Sequence, residues 1–223
     1  MKVYQEITII KTPDISPYFI WSKLYTQLHL ALVEQQKPDK TVDIGVSFPE
    51  YHCFEKDGKT IAVLGTKLRV FAHSQAALEQ LNLPNWFSRL ADYMHTTSIK
   101  QVPSQVSEYL QVARYRPNMN MERLTRRFMQ RESKRLNKDI SFEEAKQIQN
   151  QRFVDKANGR ISLEEAKAHY SNPEVKDLPF IKIKSLSGEQ EFSLLINQQL
   201  AELPQQGSFS TYGLSSAATV PHW

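Results

Sequence analysis

Apolar and polar residues alternate from Val3 to Lys11, the period of a half-buried strand, and the proline-bracketed stretch 13–17 ends it. Ser16 followed by Pro17 predicts a helix start with proline at its first position. Ile20, Leu24, Leu28, Ala31 and Leu32 recur at helical spacing, so this helix is expected to reach about Gln36, with His29 beside its apolar stripe. Strands are predicted over 41–48 and 60–72, with a turn region between them. Ser74 predicts the cap of a second helical region that Pro84 breaks or restarts, and a last strand follows over 98–102. The order β-α-β-β-α-β predicts a ferredoxin-like unit, with helices on one face of an antiparallel sheet.

Residues 103–107 predict a boundary, dividing the chain into 1–104 and 105–223. The second part is expected to hold a strand over 109–116, a helix over 120–138, and a hairpin of strands 180–185 and 192–197 around Ser187 and Gly188. The fold class is therefore α+β. Residues 140–146 and 161–167 nearly repeat, each opening with an S-x-x-E capping box. Two copies are too few for a solenoid.

Charge changes the picture at 120–138. On a helical wheel Arg123, Arg127, Arg131 and Arg135 follow at i+4, and Arg126, Gln130 and Lys134 fill the arc beside them. Met121, Leu124, Phe128, Met129 and Leu136 gather opposite, and Asn120 is placed to cap the helix. Seven cations stand here against Glu122 and Glu132, while the whole chain carries only +4. The rest of the protein is close to neutral. Solvated helix faces ordinarily mix signs at i,i+4; this one does not, and it suits a polyanion such as nucleic acid.

Other chemistry is thinner. No apolar run approaches the roughly 18 residues that span a bilayer, and the N-terminus is patterned as a strand rather than a leader, so a cytoplasmic protein without membrane contact is expected. The single cysteine, Cys53, leaves no disulfide within the chain and no cysteine-based zinc site. The six histidines are scattered without metal-ligand spacing, and neither a metal nor another cofactor is expected. The aromatic strand pattern of single-strand RNA platforms is absent from 60–71.

Six segments stand in a fixed order: residues 23–33 around His29, the IGVSFP run at 44–49, QVAR ending at Arg114, ERLTRRFM at 122–129, Leu178-Pro179-Phe180, and FSTYGLS at 209–215. In this the chain resembles the CRISPR-associated endoribonucleases of subtype I-F, which cut the repeat transcript into guide RNAs, and the resemblance covers nearly the whole chain. It implies that His29 is the general base on the ribose 2′-OH, that Ser185 holds that hydroxyl, and that Tyr212 orients the histidine. Imidazole suits the task because its ordinary pKa lies near working pH. The nucleophile would belong to the RNA, and the products would be a 2′,3′-cyclic phosphate and a 5′-OH.

The resemblance further implies that the basic helix lies in the major groove of the repeat hairpin. Arg123, Arg126, Arg127, Arg131 and Arg135 would meet phosphates there, with Asn120, Gln130 and Lys134 in the same surface. Arg114 would read a guanine near the stem base, and Phe192 would stack on the terminal pair. Ser187 competes with Ser185 for the 2′-OH and could also touch phosphate. Arg116 departs from the family pattern, which has a glutamine suited to adenine; arginine prefers guanine or phosphate. Gln130 replaces a cation, and the segment from Glu132 to Gly159 exceeds the family pattern. The implied partners are the repeat RNA hairpin and other subunits of a CRISPR surveillance complex. Taken alone, a histidine beside an apolar stripe is most often structural, Ser185 is an ordinary turn residue and Tyr212 could simply pack. Two rival functions are a hairpin-binding subunit that does not cut, and a DNA regulator using the basic helix.

Overall fold

The computed structural model describes residues 1–116, 121–137, 139–156, 162, 164, 176–185, 188 and 190–223. The chain divides into two compact units, Met1–Tyr115 with Asp177–Trp223, and Arg116–Lys176. The 104/105 position lies inside the first of these, because the strand that follows it pairs with strands from the end of the chain.

The first unit begins with β1 (Val3–Ile9), α1 (Pro17–Glu34), β2 (Thr41–Val42), β3 (Gly45–Ser47), β4 (His52–Lys56), β5 (Lys59–Val63) and β6 (Lys67–Ala72). Next come α2 (Gln75–Leu81), α3 (Leu83–Trp86), a single 3-10 turn at Ser88–Leu90, β7 (Met94–Thr96), β8 (Lys100–Gln101) and β9 (Glu108–Tyr115). One antiparallel sheet has the order β3-β6-β1-β7, with β8 also on β1. The inward side of β1 is Val3, Gln5, Ile7 and Ile9, as alternation requires. Ser74 caps α2 through its side chain, accepting the Ala77 N–H at 3.3 Å, and Asn82 in the left-handed region separates α2 from the Pro84-containing α3.

Several elements differ from the sequence pattern. Ser16 makes no side-chain cap; its carbonyl, not its hydroxyl, accepts from Phe19 and Ile20. The strand expected over 41–48 is two pieces because it serves two partners, β2 pairing with a short strand near the C-terminus and β3 with β6. The 60–72 strand breaks at Gly65, whose φ of +78° turns the chain. Its first part forms a hairpin with β4, closed by Asp57 and Gly58, both at positive φ. Of the expected 98–102 strand only β8 forms, two residues long, while β7 pairs with β1 just before it, at the end of the region expected to be helical.

The remaining strands of the first unit are β10 (Phe180–Lys184), β11 (Glu191–Ala201), β12 (Phe209–Ser210) and β13 (Thr219–His222). They and β9 form a second antiparallel sheet of order β10-β11-β9-β13, while β12 is the short partner of β2. One apolar core joins both sheets to α1, which packs against β10. Trp21 and Tyr25 widen the buried stripe of α1 beyond its aliphatic positions. The Gln198 amide exchanges two 2.9 Å hydrogen bonds with the Phe48 backbone and ties β11 to the end of β3.

The second unit contains α4 (Met121–Leu136) and α5 (Phe142–Lys156), which pack on each other. The Thr125 hydroxyl donates to Gln149 at 2.9 Å, and the Arg152 guanidinium lies 4.9 Å from the centre of the Phe128 ring. The first capping box forms: Ser141 accepts the Glu144 N–H at 3.2 Å and Glu144 accepts the Ser141 N–H at 3.0 Å. The second box, apart from Ser162 and Glu164, lies outside the described residues.

Candidate active site

Strand alternation gathers most of the site. On β10, Ile181 and Ile183 point into the core, and Ser185 continues that side just beyond the strand. The Ser185 N–H donates to the Gln190 carbonyl at 2.8 Å and extends the ladder toward the hairpin tip. Phe192 sits opposite Ile183, and Arg114 opposite Ile196, so both share that face. Arg114 reaches along it until its guanidinium carbon is 5.1 Å from the Phe192 ring centre and 6.0 Å from that of Tyr212.

Tyr212 stands in a tight turn after β12. Gly213 N–H donates to the Ser210 carbonyl at 2.8 Å, and Ser210 N–H to the Leu214 carbonyl at 2.9 Å. Gly213 has φ +70°, and a Cβ there would come within 2.6 Å of Val46, so the turn demands glycine on both counts. Its carbonyl accepts the Val46 N–H at 3.0 Å, anchoring the turn to β3.

That turn meets α1 at His29. The imidazole stacks on the Tyr212 ring with centroids 4.2 Å apart and planes 5° from parallel. Its Nδ1 lies 2.8 Å from the Thr211 carbonyl. A carbonyl can only accept, so Nδ1 carries the hydrogen, and in the neutral ring Nε2 holds the free lone pair. No hydrogen-bond partner faces Nε2 among the described residues. The ring is thus fixed in plane and tautomer, with a base presented on the far nitrogen. Burial raises the Tyr212 pKa above the ordinary tyrosine value against the opposing effect of Arg114, so its phenol stays neutral while it supports the imidazole.

The structure therefore brings His29, Tyr212, Arg114 and Phe192 together and sets Ser185 on the same sheet face as the last two. Arg116 is exposed and belongs to the second unit. On α4, Arg126, Arg127, Gln130, Arg131, Lys134 and Arg135 are all exposed. Arg135 is engaged on its own helix, 2.7 Å from Glu132, which also lies 3.6 Å from Arg152. Asn120, Ser187 and the side chain of Arg123 lie outside the described residues. A cavity of about 950 Å³ lined by Tyr18, Trp21, His52 and Phe180 contains none of the site residues. Among the described residues no group of three or more His, Cys, Asp or Glu is placed to hold a metal ion.

The family model described as CRISPR-associated protein (Cas_Csy4) matches residues 4–223. The chain belongs to this family. It is 30% identical over 222 residues to the CRISPR-associated endonuclease Cas6/Csy4 of Escherichia coli (strain UTI89 / UPEC), covering 99% of both chains. It is 32% identical over 222 residues to the protein of the same name from Pseudomonas aeruginosa (strain UCBPP-PA14), again covering 99% of both. A solved structure described as an RAMP protein binding different RNA substrates matches over 99% of each chain at 10% identity and a TM-score of 0.33, too low to define a shared fold.

Two features of this Csy4-family site escape a reading of the sequence. The Thr211 carbonyl is backbone, and no side-chain pattern announces it. Tyr25, one turn before His29, donates to the Tyr212 carbonyl at 2.9 Å; a buried tyrosine on a helix stripe signals packing before it signals placement.

Proposed function

We propose that this Csy4-family chain is an endoribonuclease that cuts CRISPR repeat transcripts at the base of their hairpin and needs no metal to do so. The carrying observation is the Nδ1–H of His29 on the Thr211 carbonyl, which leaves Nε2 to take a proton. In the reaction Nε2 removes the 2′-OH proton, the 2′-oxygen forms its bond to the adjacent phosphorus, and the phosphorus–O5′ bond breaks. The 5′-oxygen takes a proton from solvent, giving a 2′,3′-cyclic phosphate and a 5′-OH. The neutral face of Tyr212 holds the imidazole and favours it as it becomes cationic. Ser185 would position the 2′-OH, with Ser187 as its alternative. The protein supplies placement and a base, and the RNA supplies the nucleophile.

The binding surface follows from charge and stacking. Arg114, with its guanidinium beside the Phe192 and Tyr212 rings, would present its fork to a guanine edge, and Phe192 would stack on the last base pair. The exposed row on α4 would neutralise phosphates of the stem, joined by Arg123 and Asn120, with Arg116 reading guanine or phosphate. The order 2-3-1-4 of the four strand positions in the first sheet supports a ferredoxin-like module for the N-terminal part. The product hairpin would stay bound, capping the guide RNA in a surveillance complex.

The test compares wild type with His29→Ala on a repeat-hairpin transcript, measuring binding and cleavage separately. Wild type should cut, and His29→Ala should bind about equally while losing at least about a hundredfold in rate. Binding by wild type without cutting would instead make the protein a structural cap.

A further inference from the structure

Tyr25 is fully buried on α1, and its hydroxyl donates to the Tyr212 carbonyl at 2.9 Å. Its ring stacks on Phe48, centroids 6.1 Å apart and planes 19° from parallel, which fixes the donor from behind. A phenylalanine would fill the same apolar space without burying a hydroxyl, whose desolvation only this kind of bond offsets. The bond ends on the peptide next to the one whose carbonyl holds the His29 Nδ1 hydrogen. Burial also raises the Tyr25 pKa, so the phenol remains a donor through the neutral range.

We propose that Tyr25 is a positioning residue for RNA cleavage: through the Tyr212 carbonyl it holds the 210–214 turn so that Thr211 keeps the proton on His29 Nδ1 and Nε2 remains the base. This rests on His29 being the general base. Without the Tyr25 hydroxyl the turn is still held through the pairing of β12 with β2, at Val46 and within itself, but from α1 only His29 then bonds to the 211–213 peptides. The imidazole then samples both tautomers and a wider range of ring planes, and only a fraction of molecules present the free lone pair to the ribose.

The experiment uses the full chain and a repeat-hairpin RNA. Tyr25→Phe is expected to bind with a Kd within about twofold of wild type and to cleave about fivefold to tenfold more slowly in a single turnover. Nitrogen-15 NMR of His29 is expected to show the Nδ1–H tautomer in wild type and a mixture in the variant. Unchanged cleavage by folded Tyr25→Phe overturns the proposal, and so does a rate loss that comes with an equal loss of binding and no change in tautomer. Should Tyr25→Phe fail to fold, Ser210→Ala decides: the exposed Ser210 hydroxyl accepts the Tyr212 N–H at 3.4 Å, and its removal loosens the same turn from outside. Ser210→Ala must then show the same split of rate from binding, and wild-type cleavage by it overturns the proposal. A His29→Ala control that still cuts identifies the general-base reading as the failure, whatever Tyr25→Phe does.

Discussion

At the scale of single residues, Gly213 makes the chemistry depend on backbone conformation. It combines a left-handed φ with a side-chain clash against Val46, so Gly213→Ala should cost about 1–3 kcal/mol of stability. It should also slow cleavage, because the turn that displaces is the one bonded to His29. A shift in the urea midpoint checks the first effect, and a wild-type midpoint would show that the turn relaxes freely. The tyrosines add a pH dependence. Burial raises the pKa of Tyr25, Tyr51 and Tyr212, each with desolvation as its largest cause. A raised pKa means the folded state holds its proton more tightly than the unfolded chain. The contribution is therefore complete below the ordinary tyrosine value of about 10 and is lost as pH rises beyond it. Urea unfolding between pH 8 and 11 should show stability level at first and falling above about pH 10, with a shallower fall in Tyr25→Phe.

At the scale of elements, the proposed interface would divide binding between charge on α4 and stacking on the β10–β11 hairpin. Arg127→Ala or Arg131→Ala, on the exposed row, should weaken hairpin binding and reduce the salt slope of log K by about 0.7–0.9. Phe192→Ala should cost about 1–3 kcal/mol with the slope unchanged. Filter binding across a salt series separates the two, and equal slopes for all three proteins would remove α4 from the interface. The same elements show what a sequence discloses. The helix at 121–136, the Ser74 cap, the Ser141–Glu144 box and the 180–197 hairpin all rest on local rules and appear in the structure. The divided strands do not, because the break at Gly65 and the two partners of 41–48 are decided by distant pairing. The meeting of His29 and Tyr212 was anticipated through their segments, whereas the Thr211 carbonyl and the Tyr25 bond were not, since a contact between residues 187 apart leaves no local trace. The Arg135–Glu132–Arg152 cluster likewise joins two helices that the sequence does not pair.

At the scale of the molecule, the proposed function would give the two units different tasks. The first, built from both ends of the chain, holds His29, the proposed base, with its turn and the aromatic–guanidinium face on one apolar core. The second carries α4, the focus of the chain's positive charge. Catalysis should then depend on a few rigid contacts and be insensitive to salt in a single turnover at saturation, while affinity falls steeply with salt. The central claim is that the RNA's own 2′-OH attacks with His29 as base. The most direct measurement is cleavage in EDTA of two repeat hairpins, one all-ribose and one with a single 2′-deoxy at the scissile position. Both should bind equally, and only the all-ribose RNA should be cut, leaving a 2′,3′-cyclic phosphate. Cutting of the 2′-deoxy RNA, or cutting that EDTA abolishes, would contradict the account.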